Sequence, residues 1–324
     1  MGMREDYRKA ALFCALSCAL AWGLISAFTG VGGQWRGVAT VLVGLPLMYV
    51  PFVSAVIVQK LVWRRGLWSQ VGFAFRWNRW IVVAWLAMPV LALAATGVAL
   101  LFPGVEYTPD SAGMFERFGD MMTPEQVAQM KAQIAEMSVH PFWLTLASSL
   151  TFGLVITALA TFGEEAGWRG YLLKQLAYLG FWRSSLLIGF VWGVWHFPVI
   201  LAGHNYPHHP VAGVFLMIAF CVAASPLHAY VTLRSRTPLA AVILHAGVNS
   251  SAGLSLMLVR GHELYVGVMG LAGLVVLSVA NVVLYLHDRY VAAHPAWYLM
   301  DTLATDGWHA LRSGRLEPPS ATPD

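Results

Sequence analysis

The sequence predicts an all-α protein, a polytopic membrane bundle of about eight transmembrane helices. Of the 324 residues, 58% are hydrophobic and only 11% are charged, whereas soluble domains carry about 25% charged residues. Several apolar stretches exceed roughly 18 residues, the length that a helix needs to cross the hydrocarbon core of a bilayer. The net charge of +4 comes from basic residues clustered in the connecting segments. We therefore expect the lipid bilayer, and no nucleic acid, as a partner.

The eight predicted spans alternate with polar connections. They cover roughly residues 10–32, 38–62, 80–102, 145–173, 184–202, 211–233, 238–259 and 264–287. All Lys and Arg residues except Arg36, Arg117, Lys131 and Arg260 fall on the side that carries both chain termini. Because basic residues accumulate in cytoplasmic loops, both termini are predicted to be cytoplasmic. Cys14, Cys18 and Cys221 lie inside apolar segments, so no disulfide is expected.

Several connections have a composition of their own. Residues 60–80 mix five cations with six Trp and Phe residues, which is typical of a segment lying on an anionic leaflet. The outer loop, 103–140, contains a helix start at Thr123–Gln126 that continues into an amphipathic pattern. We expect that helix to pack on the outer face; a lid or a partner surface is the alternative. The loop 204–209 holds three His residues and is interpreted as an exposed loop, with metal binding as the alternative.

The stretch 161–173 places Glu164, Glu165 and Arg169 at the end of a long apolar run. A charge at the bilayer centre costs roughly 2.5–3.5 kcal/mol even on lenient insertion scales. Glu165 and Arg169 are four residues apart, so they share a helix face and can form a structural ion pair. Glu164 has no partner within the stretch. An unpaired intramembrane carboxylate is a candidate functional residue.

Polar residues on two other spans are candidates to face Glu164. The fifth span contains Trp192 and His196, and the seventh contains His245 and Asn249, each pair four residues apart. At 1.5 Å per residue, Glu164, His196 and His245 fall within one stratum of the membrane. Each His alone is more often a helix-packing hydrogen bonder. Together, a carboxylate, two imidazoles and the Asn249 amide form a set of residues typical of a hydrolytic site.

These residues resemble a known family. The motifs Glu164-Glu165-x-x-x-Arg169, Trp192-x-x-x-His196 and His245-x-x-x-Asn249 follow one another on separate predicted helices. This order resembles the CPBP intramembrane proteases, which include the type 2 CAAX prenyl endopeptidases and bacteriocin-processing or immunity-type proteins. The resemblance covers about residues 145–255, and Trp192 stands where the family often has Phe.

The resemblance implies a site and a domain organisation. Glu164, His196, His245 and Asn249 would form the catalytic site, with Glu165 and Arg169 in support. The chain is treated as one integral membrane domain, 1–324. Its regions are a protease-like core at about 145–259, accessory spans at 10–102, the outer loop at 103–140 and a cytoplasmic tail at 288–324, the end of which is Pro-rich and expected to be disordered.

The implied activity is hydrolysis of a peptide bond in a membrane-embedded or lipidated substrate, with Glu164 activating water. His196 and His245 have two alternative roles. They bind a catalytic zinc ion with Glu164 or Asn249, or without metal they orient the water and stabilise the oxyanion. Trp168 and Trp192 are interpreted as cavity walls.

Two other functions remain as alternatives, a non-catalytic scaffold or immunity-type protein and a proton-coupled transporter. The expected location is a bacterial inner membrane, with the active site opening toward the cytoplasmic half.

Overall fold

The computed structural model describes residues 2–313 and is helical apart from one short strand pair. The helices are α1 (Gly2–Gly30), α2 (Val38–Val56), α3 (Trp68–Val71), α4 (Arg79–Ala99), α5 (Ala112–Phe118), α6 (Pro124–Glu136), α7 (Pro141–Leu150), α8 (Phe152–Glu165), α9 (Leu173–Gln175), α10 (Phe181–Trp195), α11 (Phe197–Leu201), α12 (Pro210–Ser235), α13 (Leu239–Ser251), α14 (Leu271–Tyr290), α15 (Ala296–Thr305) and α16 (Gly307–Ser313). Two π-helical turns cover Ile57–Val62 and Ala166–Leu172, and 3-10 turns cover Gly119–Met121, Ala177–Leu179 and Ser255–Met257. Strands β1 (Glu106–Tyr107) and β2 (Val259–Arg260) pair antiparallel.

The helices confirm the predicted all-α membrane bundle. Among residues 2–313, six helices are long and apolar enough to cross a membrane. They are Gly2–Gly30, Val38–Val62, Arg79–Ala99, Pro210–Ser235, Leu239–Met257 and Leu271–Tyr290. Pro141–Leu150 and Phe152–Gln175 form a seventh candidate if this pair, bent by 55°, is one span.

The predicted fifth span, 184–202, differs from the other spans. It is divided between α10, with 15 residues, and α11, with five, and the chain breaks at His196. Pro198 follows two residues later, and a proline has no backbone N–H with which to continue a helix. The break places His196 at a helix end rather than inside a continuous span.

The two ends of the bundle differ in composition. The loop-rich end comprises residues 31–37, 100–140, 202–209 and 252–270, and the arginine-rich end comprises residues 63–78, 176–180, 236–238 and 291–313. Contacts within each end support this grouping. At the loop-rich end, the indole N–H of Trp35 donates to His204 Nδ1 at 3.0 Å. At the arginine-rich end, the guanidinium of Arg312 donates to the Gly72 carbonyl at 3.0 Å.

Helix α8 packs closely on α2. A Cβ atom built on Gly163 would lie 2.7 Å from the Met48 carbonyl oxygen, and one on Gly167 would lie 2.4 Å from Pro51 Cβ. Both distances are too short for any side chain, so only glycine, which has no Cβ atom, permits this close approach of the two helices. Immediately after Glu165 the helix widens into the π-helical turn Ala166–Leu172. Such turns occur frequently at functional sites.

A second close helix pair fixes α10. Cβ atoms on Gly189 and Gly193 would lie 2.6 Å from the Cys221 carbonyl oxygen and from Ile218 Cα of α12, respectively. Small residues four apart on a helix permit such a close approach of two backbones. The contact holds Trp192, on the same stretch of α10, against the bundle interior.

The outer-loop helix α6 begins as predicted but packs differently. Thr123 and Gln126 form both hydrogen bonds of a capping box. However, α6 has no buried residue, and Val127, Met130 and Ile134 are only half-buried. The expected packing of an apolar face onto the bundle is therefore incomplete.

The first part of the predicted tail, up to residue 313, forms two short helices that pack on the bundle. Helices α15 and α16 bury Met300, Leu303, Trp308 and Leu311. The Trp308 indole N–H donates to the Gln70 carbonyl at 2.9 Å, which ties the tail to the segment 60–80. The remaining tail residues, 314–324, lie outside the described residues.

We predict that α6 and the segment 60–80 lie on opposite sides of the membrane. In a Cys14→Ser/Cys18→Ser background, with the fully buried Cys221 retained, an impermeant maleimide should label Glu136→Cys on intact cells of a bacterial host. Phe75→Cys, whose native side chain is 87% exposed, should react only after permeabilisation. The basic residues of 60–80 would keep that side cytoplasmic. The reverse labelling pattern would contradict the predicted topology.

Candidate active site

A cavity of about 880 Å³ lies between α2, α8, α10, α12 and α13. Its wall includes all four residues predicted as catalytic: Glu164, His196, His245 and Asn249. Trp192 also lines it, as predicted. Residues separated by up to 85 positions in the sequence thus face one space.

Glu164 is buried, with only 2% of its surface exposed. Its Oε2 accepts a hydrogen bond of 2.8 Å from the Trp192 indole N–H. Among the described residues, no donor reaches the other carboxylate oxygen, and the side chain borders the cavity. Trp192 therefore holds the carboxylate at one oxygen and leaves the second available to a molecule in the cavity.

Glu165 forms the predicted ion pair with Arg169 and a second contact that was not predicted. Arg169 Nη1 lies 3.0 Å and 3.2 Å from the two Glu165 oxygens, and neither side chain is exposed. His245 Nδ1 lies 2.8 Å from Glu165 Oε1. A carboxylate only accepts, so His245 donates its Nδ1–H. Arg169 also lies over the Trp192 ring, 4.7 Å from its centroid, which connects the ion pair to the residue that holds Glu164.

His196 is oriented in the same way by a backbone group. Its Nδ1 lies 2.8 Å from the Trp192 carbonyl oxygen, which can only accept. In the neutral rings of His196 and His245, the proton is therefore on Nδ1 and the lone pair is on Nε2. Asn249 lies one helical turn beyond His245, is exposed to the cavity and has no hydrogen bond to another described residue. Its amide group is therefore free to contact a molecule in the cavity.

His228 on α12 was missed in the sequence. Its Nδ1 donates to the Ala224 carbonyl at 2.9 Å, while its Nε2 is buried without a partner among the described residues. Glu165, His228 and His245 each offer a ligand atom within 4.8 Å of the others. An ionisable residue inside an apolar span was a sufficient signal to include His228 among the candidates.

This trio differs from the metal set expected from the sequence, which paired His196 and His245 with Glu164 or Asn249. Two His and one carboxylate are a known zinc donor set, and the unpartnered Nε2 of His228 is available for a ligand bond. Glu165 already neutralises Arg169 at 3.0 Å, but its carboxylate has a further oxygen lone pair. The donor chemistry of the cluster therefore fits a zinc ion.

Trp168 was predicted as a cavity wall but is not among the lining residues. It is fully buried and packs edge-on against Phe13 and Trp195, at ring centroid distances of 5.4 Å and 6.2 Å. Trp195 lines the cavity instead. The π-helical turn that begins after Glu165 changes the rotation per residue, so Trp168 faces α1 rather than the cavity.

The cavity extends to the loop-rich end, where Trp35, Thr40, His204 and Asn205 line it. The distribution of Lys and Arg predicts that this end lies outside the cell. The opening toward the cytoplasmic half stays a prediction, and the two expectations differ in direction.

Comparisons with known proteins support the motif resemblance. Residues 141–251 match the family model described as type II CAAX prenyl endopeptidase Rce1-like. A curated relative, CAAX prenyl protease 2 of Methanococcus maripaludis, is 29% identical over 102 residues. The match covers 30% of this chain and 38% of the relative. The chain thus resembles the type II CAAX prenyl endopeptidases over the segment that carries Glu164, His196, His245 and Asn249.

We expect Arg169→Met to destabilise the fold by roughly 3–5 kcal/mol, because it leaves the buried Glu165 carboxylate without its cation. The double variant Arg169→Met/Glu165→Gln should recover much of this loss. Thermal unfolding of the purified protein, followed by Trp fluorescence, measures both. Arg36→Met is the matched control, because Arg36 is exposed and has no ion pair with a described residue. A single variant as stable as the parent would contradict the proposed support role.

Proposed function

We propose that this chain, which resembles the type II CAAX prenyl endopeptidases over residues 141–251, is an intramembrane endopeptidase with Glu164 as its catalytic base. One observation carries the proposal. The buried Glu164 carboxylate has one oxygen held by Trp192 and the other free, in a cavity that His196, His245 and Asn249 also line. A buried base beside oriented imidazoles and an amide donor suits hydrolysis of a carbonyl compound.

Hydrolysis begins with a water molecule hydrogen-bonded to the free oxygen of Glu164. The carboxylate takes a proton from the water as its oxygen attacks the peptide carbonyl carbon, which gives a tetrahedral oxyanion. When the C–N bond breaks, Glu164 returns the proton to the leaving amine. One peptide bond and one water become a carboxylic acid and an amine, and Glu164 ends in its starting state.

The His residues act through the nitrogens that face away from their hydrogen bonds. The Nε2 lone pair of neutral His196 accepts a hydrogen bond from the attacking water and orients it. His245 donates its Nδ1–H to the Glu165 carboxylate at 2.8 Å, which fixes the orientation and tautomer of the ring as in Ser-His-Asp triads and leaves its Nε2 lone pair available to the reactants. Asn249 donates its amide N–H to the oxyanion. Glu165 and Arg169 are positioning residues in this scheme.

A zinc-dependent version of the reaction uses the adjacent cluster. Glu165, His228 and His245 would hold the ion, and a zinc ion supplies a Lewis acid and lowers the pKa of a bound water. In either version, Glu164 remains the group that accepts the proton from water.

The substrate that fits this site is a membrane-embedded or lipidated polypeptide. On its bilayer side, the cavity wall carries Val41, Leu45, Ile156 and Leu159, each between 48% and 67% exposed. An apolar chain can reach the cavity between α2 and α8 without leaving hydrocarbon. The relative's name is that of a prenyl protease, which is consistent with an apolar substituent on the substrate.

We propose residues 145–259 as the catalytic core, within a bacterial inner membrane. The spans before it are more than accessory. Helix α2 contributes Gly44, Leu45 and Met48 to the cavity wall, and α1 packs against the π-helical turn that follows α8 through Phe13 and Trp168.

We predict that Glu164→Gln abolishes proteolysis and leaves the protein inserted and folded. Gln preserves the shape and the bond from Trp192 but cannot accept the proton from water. New peptide termini in membrane fractions of a host expressing the parent, absent with the variant at equal expression, would be the measurement. Glu136→Gln, which makes the same chemical change at an exposed position, should leave every terminus in place. Identical termini for parent and Glu164→Gln would favour the scaffold alternative.

The zinc-dependent version makes a separate prediction about the metal content of the purified protein. If zinc is bound, the purified parent should contain about one zinc ion per chain by mass spectrometry, and His228→Gln should lose it, because the trio then has only two ligands. His204→Gln, at the loop-rich end, is the control and should retain it. Full proteolytic activity of metal-free protein after chelator treatment would exclude a required metal.

A further inference from the structure

A second cavity of about 700 Å³ adjoins the catalytic cavity at the loop-rich end. We call it the vestibule. Trp35, Thr40, His204 and Asn205 line both spaces, so the two cavities meet at these residues. The vestibule lies outside the spans, between the loop 31–37, the loop 202–209 and helix α6. It belongs to a part of the chain that the family match, 141–251, covers only in part.

Helix α6 presents one face to the vestibule. Gln126, Gln129, Met130 and Gln133 line it, and their spacing of three, four and seven residues defines a single side of a helix. Since α6 has no buried residue, this face is not used for packing onto the bundle. The capping box at Thr123 nevertheless fixes where the helix begins, and hence which side chains face the cavity.

The chemistry of the vestibule is neutral and adaptable. The amides of Gln129 and Gln133 each offer both a donor and an acceptor, which matches the alternating N–H and C=O groups of an extended backbone. Gln126 Oε1 accepts from the Thr123 N–H at 2.9 Å, so Gln126 contributes its amide donor. Met121, Met122 and Met130 supply flexible thioether surfaces, of the kind that binding sites with broad sequence tolerance use. No carboxylate lines the space, and Arg36 is its one Lys or Arg among the described residues.

We propose that the vestibule binds the extramembrane segment of the substrate polypeptide next to the scissile bond, in extended conformation. The proposal rests on the proteolytic function proposed above and adds to it where the polar part of the substrate lies. The observation that favours a polypeptide is continuity: a chain leaving the catalytic cavity past Trp35 and His204 meets the amide face of α6 next.

The length of the α6 face limits how many substrate residues the vestibule can bind. Gln126 and Gln133 are seven residues apart, about 10 Å along the helix, which is the length of about three residues of extended chain. The vestibule therefore contacts roughly three substrate residues, and it binds their backbone groups more than their side chains. Arg36 favours an acidic group at its end of the vestibule.

A hydrogen bond between two uncharged side chains lies where the two cavities meet. Trp35 donates to His204 Nδ1 at 3.0 Å, and burial lowers the pKa of His204 to about 4. His204 thus stays neutral at physiological pH, and its Nδ1 remains an acceptor. No charge has to be displaced when a substrate chain passes.

The test uses photocrosslinking in the full-length Glu164→Gln variant, reconstituted in lipid nanodiscs. The probe is a synthetic peptide with a Leu/Ala membrane span of about 20 residues and a neutral Ser/Asn/Gly extension. A benzophenone amino acid at position 129 should crosslink to the extension residues nearest the span. The same group at position 135, on the opposite side of α6, should give at most one tenth of that yield. Equal yields, no crosslink, or crosslinks to lipid alone would overturn the proposal.

A kinetic arm applies once a cleaved substrate is known. The double variant Gln129→Leu/Gln133→Leu, which leaves the capping box at Thr123 and Gln126 intact, should raise KM about tenfold, since a few modest hydrogen bonds are lost, and leave kcat unchanged. An unchanged KM would overturn the proposal. The crosslinking arm does not require catalysis. Crosslinks without any Glu164-dependent cleavage would therefore contradict the proteolytic function alone.

Discussion

The buried pairing of Glu165 with Arg169 is the interaction on which the rest of the site depends. Both side chains are fully buried, and a lone charge there would cost several kcal/mol. The pair also fixes its neighbours. Glu165 orients His245 through Nδ1, and Arg169 lies over Trp192, whose indole holds Glu164. One ion pair thus sets the positions of the Glu164 carboxylate and the His245 imidazole on separate helices.

Local features of this arrangement could be predicted from the sequence. The i, i+4 spacing indicates the Glu165–Arg169 pair, and the run beginning at Thr123 indicates the start of α6. The same patterns explain why Gly189 and Gly193 lie at a close helix contact. In each case, the interacting groups are within a few residues, or the residue type itself limits what can lie beside it.

Features that depend on distant contacts could not be predicted in this way. The bond between Glu165 and His245 joins positions 80 residues apart. The orientation of Trp168 depends on a π-helical turn that no short sequence pattern predicts. His228 is an ionisable residue inside an apolar span, but it belongs to none of the three motifs that define the site in the sequence. The tail helices bury Trp308 against Gln70, a contact between positions 238 residues apart.

The exposed apolar wall formed by Val41, Leu45, Ile156 and Leu159 has a practical consequence for handling the protein. Outside a bilayer, this wall is covered by whatever solubilises the protein. A detergent with a flexible alkyl tail can insert along these four side chains, which line the cavity between α2 and α8, and occupy the space near Glu164. Reaction rates measured in such micelles would then be lowered by detergent that competes with substrate for the cavity. Surfactants with bulky, rigid tails would compete less.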